Sequence, residues 1–380
     1  MERGRPEMRV GILGGTFDPV HVGHVALARA ALTELNIEKL LVLPNGAPQY
    51  KRPRTDPADR LAMACMAMGT INRVEVSDME ILRGGATYAV DTLRILKSAH
   101  PDTDYVYIIG LDSLKNLSHW KDAETLKRLC TFACAAREGQ VPHQPGVQIL
   151  RTSIPDISSA RIRQMVQSGQ NADAFMPQNV ARYVAERGLY LSDFSESALR
   201  KELRQRLTPH RYAHTLGVAE TAAELARENG LCAGKALVAG LLHDCAKCLS
   251  PEELLQYAGP AGADADEMRC LPVLHAPVGA YLAREQYGVQ DEEVLSAIRR
   301  HTVGEKKMSL LDAIVYVADF IEPGRKPFLG LEDARRTAHQ DVFRAAALCG
   351  RLTGSYAAQG GGHLHPATAR MIQWIENGGR

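Results

Sequence analysis

The sequence lacks any apolar run long enough to cross a membrane. No stretch of its 380 residues approaches the about 20 consecutive apolar residues that a spanning helix needs. Residues 1–9 are charged and have no apolar centre, so we expect no secretory signal there. An excess of one charge is lacking too, since 45 Lys and Arg oppose 44 Asp and Glu, which argues against a general nucleic-acid or membrane-surface binder. The predicted location is the cytoplasm.

Cysteine is sparse and shows no disulfide framework. The eight cysteines lie scattered in apolar segments, as in proteins of a reducing compartment. Cys245 and Cys248 have the spacing of a metal or redox pair, but no second pair follows at a zinc-site distance. Because free cysteine is most often simply buried, we interpret this pair, and the pair Cys130 and Cys134, as structural.

The chain is longer than one ordinary hydrophobic core supports, which predicts two domains. In the first half, short apolar strands alternate with helical segments, a pattern typical of a parallel sheet covered on both faces. From about Ser195 onward the strand patterns stop and only helical patterns follow. We place the domains at 1–192 and 196–380, joined by a short polar segment. The predicted fold class is an α/β domain followed by an all-α domain.

The segment 14–24 carries the clearest functional signal of the first half. It follows an apolar strand and opens a helix, so that small residues and free N–H groups meet at a helix N-terminus, which is a phosphate-binding geometry. His21 and His24 share one face of the first helical turn and can reach one polyphosphate. Two such histidines alone would be interpreted as surface residues. Here Gly14, Gly15, the strand and the helix all stand where phosphate chemistry needs them.

Further candidate residues follow other predicted strands and helix starts. Ser159 and Arg163 lie on one face at the start of a helix and can form a second anion site, with an ordinary capped helix as the alternative. Lys51 lies in a loop after a strand and brings a cation toward the same end of the sheet. Asp112 follows another strand, so we expect it at the same crevice. Trp120 offers either core packing or a flat surface for an aromatic ring.

With these residues assembled, residues 8–190 resemble bacterial nicotinate-mononucleotide adenylyltransferases, from Gly-Gly-Thr-Phe-Asp-Pro-Val-His to Gly-Leu-Tyr at 188–190. The resemblance implies a Rossmann-like nucleotidyltransferase domain that transfers AMP from ATP to nicotinate mononucleotide, giving deamido-NAD and pyrophosphate, with Mg²⁺ accompanying ATP. It implies that His21 and His24 stabilise charge on the α-phosphate, while Lys51, Ser159 and Arg163 hold the departing pyrophosphate. The implied ATP-binding residues are Gly14, Gly15, Thr16, Phe17, His24, Gly110, Asp112, Ser159 and Arg163. The implied acceptor-binding residues are Tyr88, Asp112, Trp120 and Lys121, with the Trp120 ring stacked on the pyridine.

Two positions depart from this family's pattern. The family commonly shows Ser-Tyr-Thr ahead of Asp-Thr-Leu, whereas this chain has Thr87, Tyr88 and Ala89 there, so that the last hydroxyl is missing. Ala160 stands where threonine is frequent. If the family's threonine hydroxyl contributes to acceptor binding, its absence at Ala89 lowers the affinity for the acceptor.

The helical half places histidine and aspartate at the ends of apolar runs. Charged groups are costly there unless they are paired or metal-bound. An adjacent His-Asp pair on a helix, a histidine from an earlier helix and an aspartate from a later one can close around a divalent cation, and two further histidines allow a second ion. Lys247, at i+3 from Asp244, is expected to reach a phosphate oxygen from the same helix face. The candidate metal ligands are His214, His243, Asp244, His275, His301 and Asp319.

This half, over about 197–350, resembles the HD-domain phosphohydrolases, and specifically the bacterial symmetrical bis(5′-nucleosyl)-tetraphosphatases. The resemblance rests on Leu-His-Asp-Cys-Ala-Lys at 242–247, Arg-His-Thr at 300–302 and Ala-Asp-Phe-Ile-Glu-Pro-Gly-Arg at 318–325. It implies hydrolysis of diadenosine tetraphosphate to two ADP with one or two transition-metal ions, such as iron, with Asp244 and Lys247 in the catalytic set. Arg300 and Arg325 are candidate phosphate clamps, with solvated helix charges as the alternative.

Together the two halves predict a bifunctional enzyme that acts on ATP, nicotinate mononucleotide and dinucleoside polyphosphates, with a homodimer left open. One alternative keeps the chemistry and changes the substrates, to phosphopantetheine as acceptor and another nucleotide for the helical half. The other makes the helical half a non-catalytic nucleotide sensor, and its complete set of metal ligands argues against that. None of these versions has nucleic acid or a membrane as a partner.

Overall fold

The computed structural model describes residues 8–49, 51–137 and 145–380, without the side chains of Asp112, Ala136 and Arg137. The chain forms two compact units, which we call the sheet unit (residues up to Met165, with Asn171–Tyr183) and the helical unit (Val166–Gln170 and Val184–Arg380). The domain limits 1–192 and 196–380 stay a prediction, since the units divide at Tyr183 and Val184. Within the described ranges, no helix combines the length and apolarity needed to cross a membrane.

The first half of the chain alternates strands and helices. Its strands are β1 (Met8–Gly15), β2 (Lys39–Pro44), β3 (Ala47–Pro48), β4 (Val74–Val76), β5 (Ala86–Thr87), β6 (Thr103–Ile109), β7 (Thr131–Arg137) and β8 (Val147–Ile154). Its helices are α1 (Val22–Glu34), α2 (Pro57–Met68), α3 (Met79–Arg83), α4 (Ala89–Ala99), α5 (Leu111–Lys115), α6 (Ala123–Leu129), α7 (Ser159–Gln167) and α8 (Gln178–Arg187).

The strands of the sheet unit form a parallel sheet that is buried on both faces. Among the described residues, six strands pair in the order β4-β2-β1-β6-β7-β8, all in parallel. Apolar side chains of α4 and α6 join the core on one face, and α1 and α2 also pack against the strands. The strand order reverses between β1 and β6, which is where ligands of such sheets bind, beyond the carboxyl ends of the strands. The predicted α/β fold with a parallel sheet is confirmed.

The edge strand β8 is held by a carboxylate from α1. Glu34, the last residue of α1, accepts hydrogen bonds from the backbone N–H groups of Arg151 at 2.6 Å and Thr152 at 3.1 Å. The Thr152 hydroxyl donates to it as well. The hydroxyl and the two N–H groups hold the pKa of Glu34 below its ordinary value. We call this arrangement the Glu34 clasp.

The second half is helical throughout its described residues, and its helices begin at well-formed caps. The hydroxyls of Ser195, Thr208, Ser250 and Ser309 each accept from a backbone N–H three residues on, which satisfies a free donor of the first turn. The helices are α9 (Glu196–Arg206), α10 (Pro209–Glu228), α11 (Ala233–Leu242), α12 (Pro251–Ala258), α13 (Ala265–Arg269), α14 (His275–Glu285), α15 (Glu292–Arg300), α16 (Leu310–Ile321), α17 (Leu331–Ala338), α18 (Val342–Gln359) and α19 (Pro366–Glu376).

Helix α16 occupies the centre of the helical unit. Residues 311–318 are buried along its whole circumference, as expected for a helix that is apolar all round. Helices α10 and α11 approach so closely that a Cβ at Gly240 would lie 2.6 Å from the Cα of Ala219. The predicted all-α second half is confirmed.

One predicted helix was wrong at its C-terminal end. The periodicity predicts a helix over 235–247, but α11 ends at Leu242 and residues 243–248 form turns. The ring Nδ1 of His243 lies 2.7 Å from the Gly240 carbonyl. In a continued helix this carbonyl would accept from the backbone N–H of Asp244 instead. The His-Asp pair therefore lies at the end of a helix and not within one. Cys130, Cys134 and Cys245 are buried as predicted, whereas Cys248 is exposed.

Candidate active sites

The last two residues of β1 are glycines at positions where a side chain does not fit. A Cβ at Gly14 would collide with the Tyr107 hydroxyl, and one at Gly15 would lie 2.9 Å from the Phe17 ring. Phe17 itself adopts a left-handed backbone with φ of 52°, which is uncommon for a residue with a side chain. Gly14 and Gly15, which were predicted to follow the strand in a turn, are instead its last two residues, at the carboxyl end of β1.

His21 and His24 lie together, as their spacing predicts. Their rings stack with centroids 3.7 Å apart and an interplanar angle of 27°. The backbone N–H of His21 donates to Nδ1 of His24 at 3.2 Å, so a neutral His24 carries its proton on Nε2. Burial, followed by the positive charges of His21 and Lys51, holds the pKa of His24 well below its ordinary value. His24 is therefore a neutral donor at physiological pH.

Ser159 and Arg163 contact the histidine turn from α7. The Ser159 hydroxyl donates to the Pro19 carbonyl at 2.9 Å, and Arg163 Nη1 donates to the Asp18 carbonyl at 2.7 Å. Ser158 accepts from the Arg161 N–H at 3.3 Å and occupies the predicted cap position. Ser159 and Arg163 thus hold the turn that precedes His21. Their role toward pyrophosphate stays a prediction.

Sequence reasoning missed a buried arginine behind this turn. Arg60, which is 1% exposed, donates to the carbonyls of Thr16 at 3.3 Å and Gly46 at 2.8 Å, and also to that of Asn45. It joins the ends of β1 and β2 and places a fixed positive charge behind the nucleotide turn. Its partners lie far away in sequence, so no local pattern identifies it.

The predicted acceptor residues gather in part. Lys121 Nζ lies 4.3 Å from the centroid of the Tyr88 ring and 2.9 Å from Asp91 Oδ2. Trp120 is partly buried and stands edge-on to Tyr107, with centroids 5.9 Å apart, so it is packed against the core. Gly110 precedes α5, and Asp112 lies in α5 with its side chain outside the description. Lys51 is exposed.

The six predicted metal ligands of the helical unit converge on one centre. Asp244 lies between two groups of histidines: its Oδ2 is 3.5 Å from His243 Nε2 and 3.9 Å from His214 Nε2. Its Oδ1 is 3.3 Å from His275 Nε2 and 3.7 Å from His301 Nε2. We call these the His214 side and the His275 side of the centre.

Asp319 completes the His214 side. Its Oδ1 lies 3.0 Å from His214 Nε2 and 3.9 Å from His243 Nε2. Two sets of ligand atoms are close enough to share an ion: His214, His243 and Asp319, and His243, Asp244 and His301.

All four histidines are fixed with Nε2 facing the centre. Three of them bond through Nδ1 to a carbonyl three residues earlier, and because a carbonyl only accepts, Nδ1 carries the proton. The three bonds are His243 to Gly240 at 2.7 Å, His275 to Pro272 at 2.9 Å and His301 to Ile298 at 2.7 Å. His214 Nδ1 lies 3.1 Å from the Glu322 carboxylate, which also accepts. Metal-binding histidines are held in this way from behind.

These residues fit a divalent metal. With Nδ1 protonated, the Nε2 atoms of His275 and His301 face each other at 3.2 Å with a lone pair on each, which favours a cation between them. The buried Nε2 of His243 has no hydrogen-bond partner among the described residues. Imidazole and carboxylate together suit transition metals.

The electrostatics of the centre favour positive charge. Burial opposes protonation of His243, but the carboxylates of Asp244 and Asp319 outweigh it and raise the pKa of the ring. Burial would raise the pKa of both carboxyls, yet the surrounding histidines hold the pKa of Asp244 and of Asp319 well below the ordinary range. Burial lowers the pKa of His275 to about 4, which keeps that ring available as a ligand.

Cationic side chains surround the centre. Lys247 Nζ lies 3.2 Å from His275 Nδ1 and Nε2, although it reaches the site from a turn and not from the predicted helix face. Arg325 donates to the Asp319 carboxylate at 2.7 Å. Arg211, which the sequence analysis did not single out, donates to Asp244 at 2.9 Å. Arg300 instead pairs with Asp312 at 2.8 Å, within the cap of α16, so its phosphate contact stays a prediction.

Comparison with known proteins finds relatives of each half and of the whole. The Cytidylyltransferase-like family matches residues 12–165, and the HD domain family matches residues 211–324. A Synechococcus protein named "Probable nicotinate-nucleotide adenylyltransferase" is 38% identical over 198 residues, covering 49% of this chain and 96% of that relative. A crystal structure from Clostridium acetobutylicum, described as a "predicted HD superfamily hydrolase involved in NAD metabolism", is 36% identical and covers 48% of this chain and 98% of that one, with a TM-score of 0.47.

A third relative spans both units. A Mycoplasma genitalium protein named "Probable nicotinate-nucleotide adenylyltransferase/Ap4A hydrolase" is 32% identical over 326 residues, which are 84% of this chain and 89% of that protein. A Mycoplasma pneumoniae protein of the same name is 32% identical over 83% of this chain and 88% of its own length. This chain therefore belongs to the family of two-domain nicotinate-nucleotide adenylyltransferase/Ap4A hydrolases, in which a cytidylyltransferase-like domain precedes an HD domain.

Proposed function

We propose that the sheet unit transfers AMP from ATP to nicotinate mononucleotide and that the helical unit hydrolyses diadenosine tetraphosphate to two ADP. The observation that carries the proposal is the presence, in one chain, of a neutral histidine donor beyond the glycines that end β1 and of a cluster of four histidines and two aspartates around Asp244. The names of the two Mycoplasma relatives, which span both units, support it.

In the transfer reaction, an oxygen of the acceptor phosphate attacks the α-phosphorus of ATP. The bond from that phosphorus to the bridging oxygen breaks, and pyrophosphate leaves. In this proposal the Nε2–H of His24 donates to the α-phosphate; the hydrogen bond at its Nδ1 and the stacked His21 ring support that assignment. Donors fixed in advance cost no reorganisation when charge builds up on the phosphate. The start of α1 and the charge of Arg60 add favourable potential.

In the hydrolysis, the helical unit would hold a divalent metal through His214, His243, Asp244, His275, His301 and Asp319. When bound, such a metal supplies Lewis acidity toward phosphate and activates water. In this proposal Arg325 and Lys247 bind phosphate oxygens of the substrate; their contacts with Asp319 and His275 support that assignment. Arg211 pairs with Asp244 and orients its carboxylate.

Several finer assignments are part of the same proposal. Mg²⁺ would arrive with ATP as part of the substrate, and iron is the proposed resident ion, with one position on each side of Asp244. The separate pairings of the two Asp244 oxygens support two positions. A homodimer and a cytoplasmic location stay predictions from the sequence.

The test is a pair of product assays on the full chain. His24→Ala should reduce deamido-NAD formation from ATP and nicotinate mononucleotide by at least about 100-fold, the usual cost of removing one donor to a charged transition state. The same variant should keep diadenosine tetraphosphate cleavage. Asp244→Asn should show the reverse pattern. His100→Ala and His363→Ala, at exposed positions, are the matched controls and should match wild type in both assays.

Two outcomes would overturn the proposal. One is a wild-type chain that adenylylates phosphopantetheine and not nicotinate mononucleotide. The other is an Asp244→Asn chain that cleaves diadenosine tetraphosphate at the wild-type rate.

A further inference from the structure

Glu322 is a buried carboxylate that contacts His214 directly and is linked to Asp319 through the residues that follow it. It caps the C-terminus of α16, and its side chain is 4% exposed. Its Oε1 accepts from His214 Nδ1 at 3.1 Å. Its Oε2 accepts from the Gly324 N–H at 2.5 Å. The sequence analysis assigned no role to this residue.

The turn at Gly324 continues into a residue that contacts Asp319, the other ligand on the His214 side. Arg325, the next residue, donates from Nε at 2.9 Å and from Nη2 at 2.6 Å to the backbone carbonyl of Asp319. Its Nη2 also donates to Asp319 Oδ1 at 2.7 Å. One carboxylate therefore holds His214 on α10 directly and Asp319 on α16 through a two-residue turn. The two ligand atoms, His214 Nε2 and Asp319 Oδ1, stand 3.0 Å apart.

Two glycines make room for this carboxylate. A Cβ at Gly217, one turn beyond His214 on α10, would lie 2.7 Å from Glu322 Oε2. A Cβ at Gly324 would lie 2.9 Å from the same oxygen. Glycine inside a helix costs about 1 kcal/mol relative to alanine, so the space at Gly217 is kept at the expense of helix stability.

We propose that Glu322 is a positioning residue that sets the distance and ring orientation of the two ligands on the His214 side. This inference rests on the metal-binding part of the proposed function. It names a residue that acts on the metal only through His214 and Asp319. A carboxylate behind a ligating histidine fixes its tautomer and increases its basicity, and loss of such a partner usually costs about 10–100-fold in metal affinity.

The chemistry of glutamine makes the inference testable without a change of size. A carboxylate accepts from both His214 and Gly324, whereas an amide has one oxygen and one NH₂ group. In Glu322→Gln the amide NH₂ must therefore either face the Gly324 N–H or donate to Nδ1 of His214, which moves the ring proton to Nε2, the atom that faces the centre. Gly217→Ala changes the same contact from the other side, because its methyl group displaces Glu322 while the carboxylate remains.

The experiment measures metal binding by the full-length chain after removal of metal with a chelator. Wild type, Glu322→Gln, Glu322→Ala and Gly217→Ala are titrated with Mn²⁺, and the visible absorption of their Co²⁺ forms is recorded. We expect affinity to fall about 10–100-fold in the two Glu322 variants, with a changed Co²⁺ spectrum. Gly217→Ala should lose affinity although alanine favours the helix. Glu292→Gln is the matched control, because Glu292 is 79% exposed and pairs with Arg284, which has no described contact with Glu322.

The outcomes separate this inference from the proposed function. Folded Glu322→Gln with wild-type Mn²⁺ affinity and an unchanged Co²⁺ spectrum overturns the inference, and it decides the matter even where Glu322→Ala does not fold. A purely structural role would lower the urea midpoint of the metal-free chain and leave the spectrum unchanged, which also overturns it. A wild-type chain that binds Mn²⁺ tightly but does not cleave diadenosine tetraphosphate removes the proposed hydrolysis and leaves the inference on Glu322 standing.

Discussion

At the scale of single residues, the chemistry proposed for the sheet unit depends on the protonation state of His24. His24 accepts the His21 N–H at Nδ1 and is kept neutral chiefly by burial. A polyphosphate placed beside Nε2 favours the charged form of the ring and so raises its pKa. If ATP binds beside Nε2 as proposed, its binding is coupled to proton uptake at His24.

We expect ATP affinity to rise as the pH falls through the pKa of His24 in the complex. The gain should stop below the pKa of the free ring, which lies well under about 6.5. Titration calorimetry at pH 6 in two buffers of different ionisation enthalpy measures the protons taken up. Wild type and His100→Ala should take up more protons than His24→Ala. Equal uptake in all three would contradict the assignment.

The sequence predicted the cluster of histidines and aspartates better than it predicted the residues that contact this cluster. His214 to Asp319 lie in short motifs whose residue types indicate metal chemistry, and the structure brings all six together. Arg211, Glu322 and Arg60 act through contacts far along the chain, up to 108 residues apart for His214 and Glu322. Contacts between residues so far apart leave no signal in the spacing of neighbouring residues. The helix that was expected to carry Lys247 ends earlier, at Leu242, so this side chain reaches the cluster from a turn, and its contact with phosphate stays a prediction.

At the scale of elements, the metal centre depends on the spacing of α10 and α11. Helix α10 carries His214, and α11 ends at the residue before His243. Gly240 meets the backbone of Ala219 so closely that any side chain there must push the two helices apart. Backbone atoms cannot move aside as the end of a flexible side chain can.

Gly240→Ala should destabilise the helical unit by about 1–3 kcal/mol, the usual cost of overpacking, and weaken metal binding. Gly259→Ala is the matched control, since Gly259 has right-handed backbone with φ of −61° and a Cβ there meets nothing within 4 Å. Its effect should stay within about 0.5 kcal/mol. Urea unfolding followed by Trp374 fluorescence, in a Trp120→Phe background, gives both values. Equal stabilities of the two variants would show that the contact is unimportant.

The element pattern was also where sequence periodicity succeeded most. The apolar patterns of the sequence predict strands over 39–43, 74–76 and 105–109. They predict helices over 57–68, 292–300 and 310–321, and all six elements agree with the structure within two residues. Strand β8 was not predicted, because only two of its residues are fully buried: Leu150 and Ile154 are buried, while residues 151–153 between them are exposed. An edge strand with one partner shows a weaker apolar pattern than a central one.

At the scale of the whole molecule, the two units carry separate cores and separate ligand sites. The sequence provides one tryptophan for each: Trp120 packs against the core of the sheet unit, and Trp374 packs against that of the helical unit. Each fluorescence signal therefore reports the unfolding of its own unit.

Removal of metal with a chelator should lower the unfolding midpoint reported by Trp374 and leave that reported by Trp120. A ligand that binds only the folded state stabilises it by about 2.7 kcal/mol at 100 times its Kd. ATP should act on the Trp120 signal alone. Thermal unfolding of Trp120→Phe and Trp374→Phe chains, with and without each ligand, is the measurement. A metal effect on the Trp120 signal as large as that on Trp374 would contradict the assignment of sites to units.

The Glu34 clasp has a consequence for the behaviour of the sheet in acid. An edge strand offers unpaired N–H groups to any foreign strand, and at Arg151 and Thr152 the Glu34 carboxylate already occupies them. Because those hydrogen bonds depress the pKa of Glu34, the carboxylate keeps its charge in mildly acidic solution and is neutralised only when the pH falls through this lowered value. We therefore expect β8 to become available for pairing with a foreign strand only in acid strong enough to protonate Glu34.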